Sequence, residues 1–317
     1  MNALWLEDNR ISLRDIPQPR KTDEALIRIH KAGICSTDLE LVKGYYPYTG
    51  VIGHEFVGDV VEADDAAWVG QRVVGEINVT CNKCEQCLNG RPTHCEHRTV
   101  LGIVNRDGTF AEYTTLPIAN LHRVPASVPD EMAVFTEPLA AALEIQDQIQ
   151  IKPTDRVLLV GAGRLGQLIA QTLALTGCDL RLVARHAHQQ NLLKQRGIRI
   201  ISEEDAVAQP WRWDVVVEAT GSPSGFSLAR RAIRPRGTMV LKSTYKGEMS
   251  VNFSSIVVDE INLVGSRCGP FEPALRLMDS RQVDPTVLIA DEFRLSDALK
   301  AFERAAEAGV LKVLVEM

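Results

Sequence analysis

Seven cysteines are spread unevenly along the 317-residue chain: Cys81, Cys84, Cys87 and Cys95 fall within fifteen residues, while Cys35, Cys178 and Cys268 stand apart. Three thiols within seven positions, with a fourth eight residues on, are what a tightly turning loop gathers around a metal. Four thiolates make a closed tetrahedral zinc site, which is structural because no coordination position is left for substrate. The competing reading, four free buried thiols, leaves an oxidation-prone cluster without a purpose. His94 and His97 flank Cys95, but a soft thiolate suits the existing set better than imidazole.

A second group is scattered: Cys35 in AGICSTD, His54 and Glu55 in GHEFVG, and Glu137 in FTEPLAAALE. Each alone is weak, since a lone Cys or His is more often ordinary core than a ligand. Together they offer one thiolate, one imidazole and carboxylates, a mixed set that keeps a zinc position open for substrate. Glycines at 53 and 58 would let the backbone turn closely beside such a site. A metal held this way acts as a Lewis acid on a hydroxyl or carbonyl oxygen.

A third motif, Gly161-Ala-Gly163-Arg164-Leu165-Gly166, follows the apolar run RVLLV and opens an amphipathic stretch. Between a buried strand and a helix it reads as a dinucleotide-binding turn. The first glycine makes the bend, the second admits the pyrophosphate, the third lets helix lie against strand, and the helix N-terminus attracts phosphate. A binder of unphosphorylated dinucleotide carries an acid at the end of the second strand, about twenty residues on. Asp179 has that spacing but precedes the strand LRLVA, and the far end holds Ala184, Arg185 and His186. A guanidinium suits a 2′-phosphate, so NADP(H) is expected in preference to NAD(H). A solvated surface charge is the plainer reading of Arg185.

These groups need two kinds of scaffold. The first 125 residues contain short, alternating or β-branched segments broken by Gly and Pro, which predict a small barrel-like β domain. From Asp155, strands and helices alternate through LRLVA, IRII, DVVVEAT, GTMVLK and INLVGS, the pattern of a doubly wound parallel sheet. After Gly265 come two helical stretches and a last strand, VLKVLVE, expected to rejoin the first domain. The division expected is 1–125 with 270–317, and 126–269, in an α/β chain long enough for two cores.

A net charge of −6 gives no reason to expect nucleic acid or an anionic membrane as partner. No window reaches the ~18 apolar residues of a membrane span, and the N-terminal stretch has no apolar leader core. A cytoplasmic protein with reduced thiols is expected.

AGICSTD, GHE, the cysteine cluster, EPLA, GAGRLG and VLKVLVE, in that order, resemble the zinc-containing medium-chain dehydrogenase/reductase superfamily, in particular its sorbitol and threonine dehydrogenase-like branch. The resemblance runs end to end and implies a GroES-like catalytic domain beside a Rossmann domain, with two zinc ions per chain. It implies that Cys35 and His54 bind the catalytic zinc, that Glu55 binds or adjoins it, and that Glu137 stands where a further carboxylate binds directly or through water. Asp38 matches the acid that orients the ligand histidine, and Thr37 the hydroxyl that relays the substrate proton. Many relatives carry histidine where this chain has Glu40, so Glu40 or water must finish the relay. The resemblance also places Thr220 with Gly221, Ser243, Gly265, Ser266 and Arg267 along the nicotinamide side, Lys312 against a cofactor phosphate, and the chain in a homodimer or homotetramer paired through the INLVGS edge.

The implied reaction moves hydride between a secondary alcohol and a nicotinamide. Tyr45, Tyr46 and Tyr48, lying between Cys35 and His54, could pack on a sugar ring, which with the branch favours a polyol, sugar or amino alcohol. A zinc-independent enone or quinone reductase of the same fold, and a non-catalytic nucleotide-binding regulator, are the alternatives. Cys35, His54, Glu137 and Thr37 oppose both.

Overall fold

The computed structural model describes residues 1–20, 22–208, 213–244 and 248–317. The chain forms two compact units, Met1–Glu137 with Phe271–Met317, and Pro138–Pro270. The first break falls later than the expected 125/126. The segment beyond Pro125 belongs to the first unit because Asp130 accepts from His30 Nδ1 at 2.9 Å and from Arg72 Nη1 at 3.1 Å.

The first unit is built on a seven-stranded sheet. Along it run Leu121–Arg123, Arg72–Gly75, Glu55–Glu62, Ala25–Gly33, Lys312–Glu316 and Ile289–Arg294, with Tyr113–Leu116 also pairing with Ala25–Gly33. The last strand therefore returns to this unit, antiparallel to Ala25–Gly33 and in register Leu314 to Gly33. Gly33 also stands opposite Glu55. That double register brings the chain just after Gly33, just before Glu55 and at Lys312 to one end of three neighbouring strands. A smaller sheet, Arg10–Asp15, Asn2–Glu7 and Gly50–Val51, completes the β-rich unit.

The second unit is a six-stranded parallel sheet in the order Arg199–Ile200, Asp179–Val183, Arg156–Val160, Trp213–Glu218, Ile233–Leu241, Asn262–Gly265. Strands covered on both faces must be apolar throughout, and Val157 to Val160 are all buried. The helix Arg164–Ala174 buries Gly166 through Leu173. Leu158, Val216, Met239, Phe226 and the fully buried Trp213 pack into one core, each such side chain contributing roughly 1.5–3 kcal/mol.

Candidate metal centres and dinucleotide site

The strand register assembles the first site. Cys35 follows the strand Ala25–Gly33 by two residues and caps the helix Ser36–Val42, while His54 ends the turn that enters Glu55–Glu62. Gly53 makes that turn at φ +100°, and a Cβ there would lie 2.6 Å from the Phe110 ring, so only glycine fits. Donor atoms of Cys35, His54 and Glu55 all lie within 4.8 Å of one another. Asp38 is fully buried and accepts from Cys35 N at 2.8 Å, which fixes the start of the helix. Its other oxygen is 3.2 Å from His54 Nδ1 but out of line for a hydrogen bond, and both atoms, like Glu55 Oε1, lack a hydrogen-bond partner. Buried polar atoms without partners are costly. The Asp38 oxygen and His54 Nδ1 face each other, whereas Glu55 Oε1, inside the Cys35–His54–Glu55 group, suits a cation that draws the donors together. Burial opposes protonation of His54, but the Asp38 and Cys35 charges outweigh it and hold its pKa well above the ordinary value. The same negative field favours a metal.

Other expected residues sit around this cluster. Thr37 Oγ1 is 3.8 Å from Cys35 Sγ. Glu40 accepts from Lys43 Nζ at 2.8 Å. Glu137, in the first turn of Thr136–Gln148, is not among the three residues brought together. Lys312 is buried, donates to Glu55 Oε2, and holds its ammonium 5.3 Å from the Phe135 ring centre. The charge read by resemblance as a phosphate contact is here the partner of the cluster's carboxylate. Gly33 was not singled out by its sequence context, yet a Cβ there would come 2.5 Å from Glu55 Oε2. Of the three tyrosines, Tyr45 and Tyr46 are exposed, whereas the Tyr48 hydroxyl faces the Val51 and Arg106 carbonyls at 2.8 Å each, and burial pushes its phenol pKa up.

The second cluster is Cys81, Cys84, Cys87 and Cys95. The sulfurs of Cys84 and Cys87 are 3.5 Å apart, of Cys84 and Cys95 3.8 Å, and of Cys95 and Cys81 3.5 Å. Zinc–sulfur bonds of about 2.3 Å require tetrahedron edges of about 3.8 Å, so the loop is shaped for the ion. Backbone N–H groups of Cys81 and His97 donate to Cys95 Sγ at 3.3 and 3.4 Å. Others, from Cys87 and Glu96, pull the Cys84 thiol down to about 6. Burial and the neighbouring Cys84 and Cys95 sulfurs push the Cys87 thiol the other way, up to about 12, so a cation is needed for all four to be thiolates together.

In the second unit, Gly161 leaves Arg156–Val160 at φ +111°, and a Cβ at Gly166 would meet Gly161 O at 2.3 Å. Nothing lies within 4 Å of a Cβ built on Gly163, which caps the helix opened by Arg164 and Leu165. This is the open backbone approach a pyrophosphate needs. At the neighbouring strand ends, Gly221 N donates to Ser243 Oγ at 2.8 Å, and Lys242 Nζ donates to Ser266 Oγ at 3.1 Å. Thr220 N donates at 2.7 Å to Glu218, a buried acid closing the run VVVE that sequence reading passed over. Gly265 O accepts from Gln148 Nε2 at 3.4 Å, and Arg267 Nη1 lies 3.6 Å from Cys268 Sγ. Arg185 Nε donates to Glu203 Oε1 at 2.9 Å, beside His186, which caps the next helix.

A β-rich unit with a Cys/His/Glu cluster, joined to a doubly wound sheet with a glycine-rich turn, defines a metal-dependent nicotinamide oxidoreductase. Comparison with known proteins makes this specific. The alcohol dehydrogenase GroES-like domain matches residues 21–126, and the zinc-binding dehydrogenase domain matches residues 165–280. The sorbitol dehydrogenase of Halalkalibacterium halodurans is 30% identical over 94% of this chain and 93% of that protein. D-arabinitol dehydrogenase 1 of Uromyces fabae is 31% identical over 100% and 97%. A crystal structure described as a zinc-binding dehydrogenase from Sinorhizobium meliloti bound to NADP superposes with a TM-score of 0.91, 30% identity and coverage of 100% and 99%. An alcohol dehydrogenase from Escherichia coli CFT073 with NADH gives 0.91, 27%, 100% and 99%. The chain belongs to the zinc-type alcohol dehydrogenases of the medium-chain dehydrogenase/reductase superfamily, and it is an NAD(P)-dependent alcohol oxidoreductase.

Proposed function

We propose that the chain holds two zinc ions, prefers NADP(H) to NAD(H), and interconverts a secondary alcohol of the polyol, sugar or amino-alcohol class with its carbonyl compound. The observation that carries this reading is the approach of the Cys35, His54 and Glu55 donors to within 4.8 Å, with Glu55 Oε1 buried and left unpartnered. Bound there, zinc supplies Lewis acidity toward the substrate oxygen, and nicotinamide supplies the hydride carrier.

Cys35 and His54 bind the metal, Glu55 binds or adjoins it, and Asp38 holds the His54 ring. Glu137 is a further carboxylate by resemblance alone. Thr37 Oγ1 accepts the substrate proton as it gives its own toward the cofactor ribose, and Glu40, one turn further along the same helix, or water takes the proton onward to solvent. Gly161 to Gly166 cradle the pyrophosphate, Arg185 and His186 face the adenosine 2′ position, and Thr220, Ser243, Gly265, Ser266 and Arg267 border the nicotinamide. Cys81, Cys84, Cys87 and Cys95 hold the second ion. The substrate class rests on the sorbitol and arabinitol dehydrogenases among the relatives.

A homo-oligomer is supported by the edge strand Asn262–Gly265, which among the described residues is paired on one side only. Leu263 upon it and Phe253, Val257 and Val258 in the preceding helix are exposed apolar residues. The four clustered cysteines, gathered with no disulfide among the described residues, support a reducing, cytoplasmic setting. The test is elemental analysis together with a panel of polyols, sugars and amino alcohols assayed with both cofactors. Two zinc ions per chain and NADP-linked polyol oxidation are expected. One zinc, or no turnover with any alcohol, refutes the reading.

A further inference from the structure

The two cofactor-bearing relatives hold different cofactors, one NADP and one NADH, and the adenosine corner of this chain carries a feature that bears on the choice. Strands Asp179–Val183 and Arg199–Ile200 run parallel in register Leu182 to Ile200, so the segments following them emerge side by side. One carries Arg185 and the other Glu203, the first residue of the helix Glu203–Ala208, and their side chains form an ion pair at 2.9 Å. Together with Lys194 and Ser202 they line an open cleft of about 420 Å³. The acid missing from the end of the second strand is thus supplied by the third. It stands against the very guanidinium that suits a phosphate.

We propose that Glu203 is a cofactor-selecting residue: by holding Arg185 it restrains use of the 2′-phosphorylated dinucleotide and lets the unphosphorylated one share the site. The proposal rests on the reading that Arg185 faces the adenosine 2′ position. A ribose 2′-hydroxyl can donate to Glu203 while Arg185 stays paired. A 2′-phosphate, carrying about −1.5 to −2 charges, must draw Arg185 away and lie beside a carboxylate of like sign. The Arg185 and Glu203 side chains are 64% and 44% exposed, so parting them costs no more than about fivefold in an equilibrium constant. Glu203 therefore moderates the preference created by Arg185 without reversing it.

The test uses the native chain, Glu203→Gln, Arg185→Ala and the double variant. Fluorescence titration with NADPH and with NADH reads binding independently of turnover. Glu203→Gln is expected to shift the ratio of NADPH to NADH affinity about fivefold toward NADPH in the native background, and less than about twofold when Arg185 is alanine. If Arg185→Ala weakens NADPH while Glu203→Gln leaves the ratio unchanged or lowers it, the proposal falls and the reading of Arg185 stands. An equal gain in both backgrounds also overturns it, because Glu203 would then act without Arg185. If Arg185→Ala leaves NADPH binding intact, the reading of Arg185 fails and takes the proposal with it.

Discussion

Replacing Lys312 with methionine isolates the buried pair that joins the last strand to the metal cluster. Lys312 and Glu55 are 3% and 1% exposed and bonded to each other. Methionine keeps much of the volume and the contact with Phe135 while leaving the Glu55 carboxylate buried and uncompensated. Breaking one partner of such a pair costs about 3–5 kcal/mol. At roughly 2–4 °C per kcal/mol for a unit of this size, the midpoint of the metal-free protein falls by about 6–20 °C. Zinc at the cluster offsets the stranded charge, so the loss is smaller in the loaded protein. Adding Glu55→Gln to Lys312→Met removes the stranded charge and recovers most of the metal-free loss. Differential scanning calorimetry of chelator-treated and zinc-loaded samples reads all four cases. A metal-free loss below about 1 kcal/mol, or no recovery in the double variant, refutes the reasoning.

On the proposed two-zinc reading, Cys84→Ser removes one ion per chain and destabilises the 81–95 loop, read by elemental analysis and by protease cleavage within it. Gly163→Val adds a side chain where no protein atom lies within 4 Å of its Cβ, so the midpoint holds while cofactor affinity drops roughly tenfold or more. Gly166→Ala, whose Cβ would meet Gly161 O at 2.3 Å, instead lowers stability, and the two variants together separate packing from binding. The hydrogen bond to Asp130, aided by Asp59 against the cost of burial, raises the His30 pKa above 6.5, with Arg28, Lys31 and Arg72 as the nearby cations. The stability His30 contributes is full below about pH 6.5 and fades as pH rises through its higher folded value. His30→Gln therefore costs about 1–2 kcal/mol in acid and less in alkali by denaturant titration, and a cost that grows with pH contradicts the assignment.

What could be read in advance was local. The cysteine cluster and GAGRLG carry their geometry in contiguous spacing, and the alternation from Asp155 onward is the parallel sheet itself. Cys35, His54 and Glu55 needed the register of two antiparallel strands, which a short β segment does not announce. Least legible were pairings between distant segments. Lys312 and Glu55 are 257 positions apart, and Asp130, which carries the first unit past its expected boundary, reaches back 100 positions to His30. Arg185 could be seen as a free guanidinium because Glu203, eighteen positions on, meets it only once two strands lie side by side. Single residues state their chemistry in sequence, whereas their counter-charges are set by topology.

That distinction decides what the Cys35 cluster can hold. As a thiolate, half-buried Cys35 joins the buried Asp38 and Glu55 to give three negative groups close together, and Lys312 neutralises one of them. Two negative charges remain, the complement of a divalent cation. Without such a cation the same excess is met by protonation, in keeping with the raised His54 pKa. Proton and metal therefore compete for one field, and metal affinity must fall as pH is lowered. A third uncompensated negative charge would be expensive in so confined a site. Lys312 keeps the total within reach of a single divalent cation, which accounts for an ammonium buried beside Val313, Leu314 and Val315.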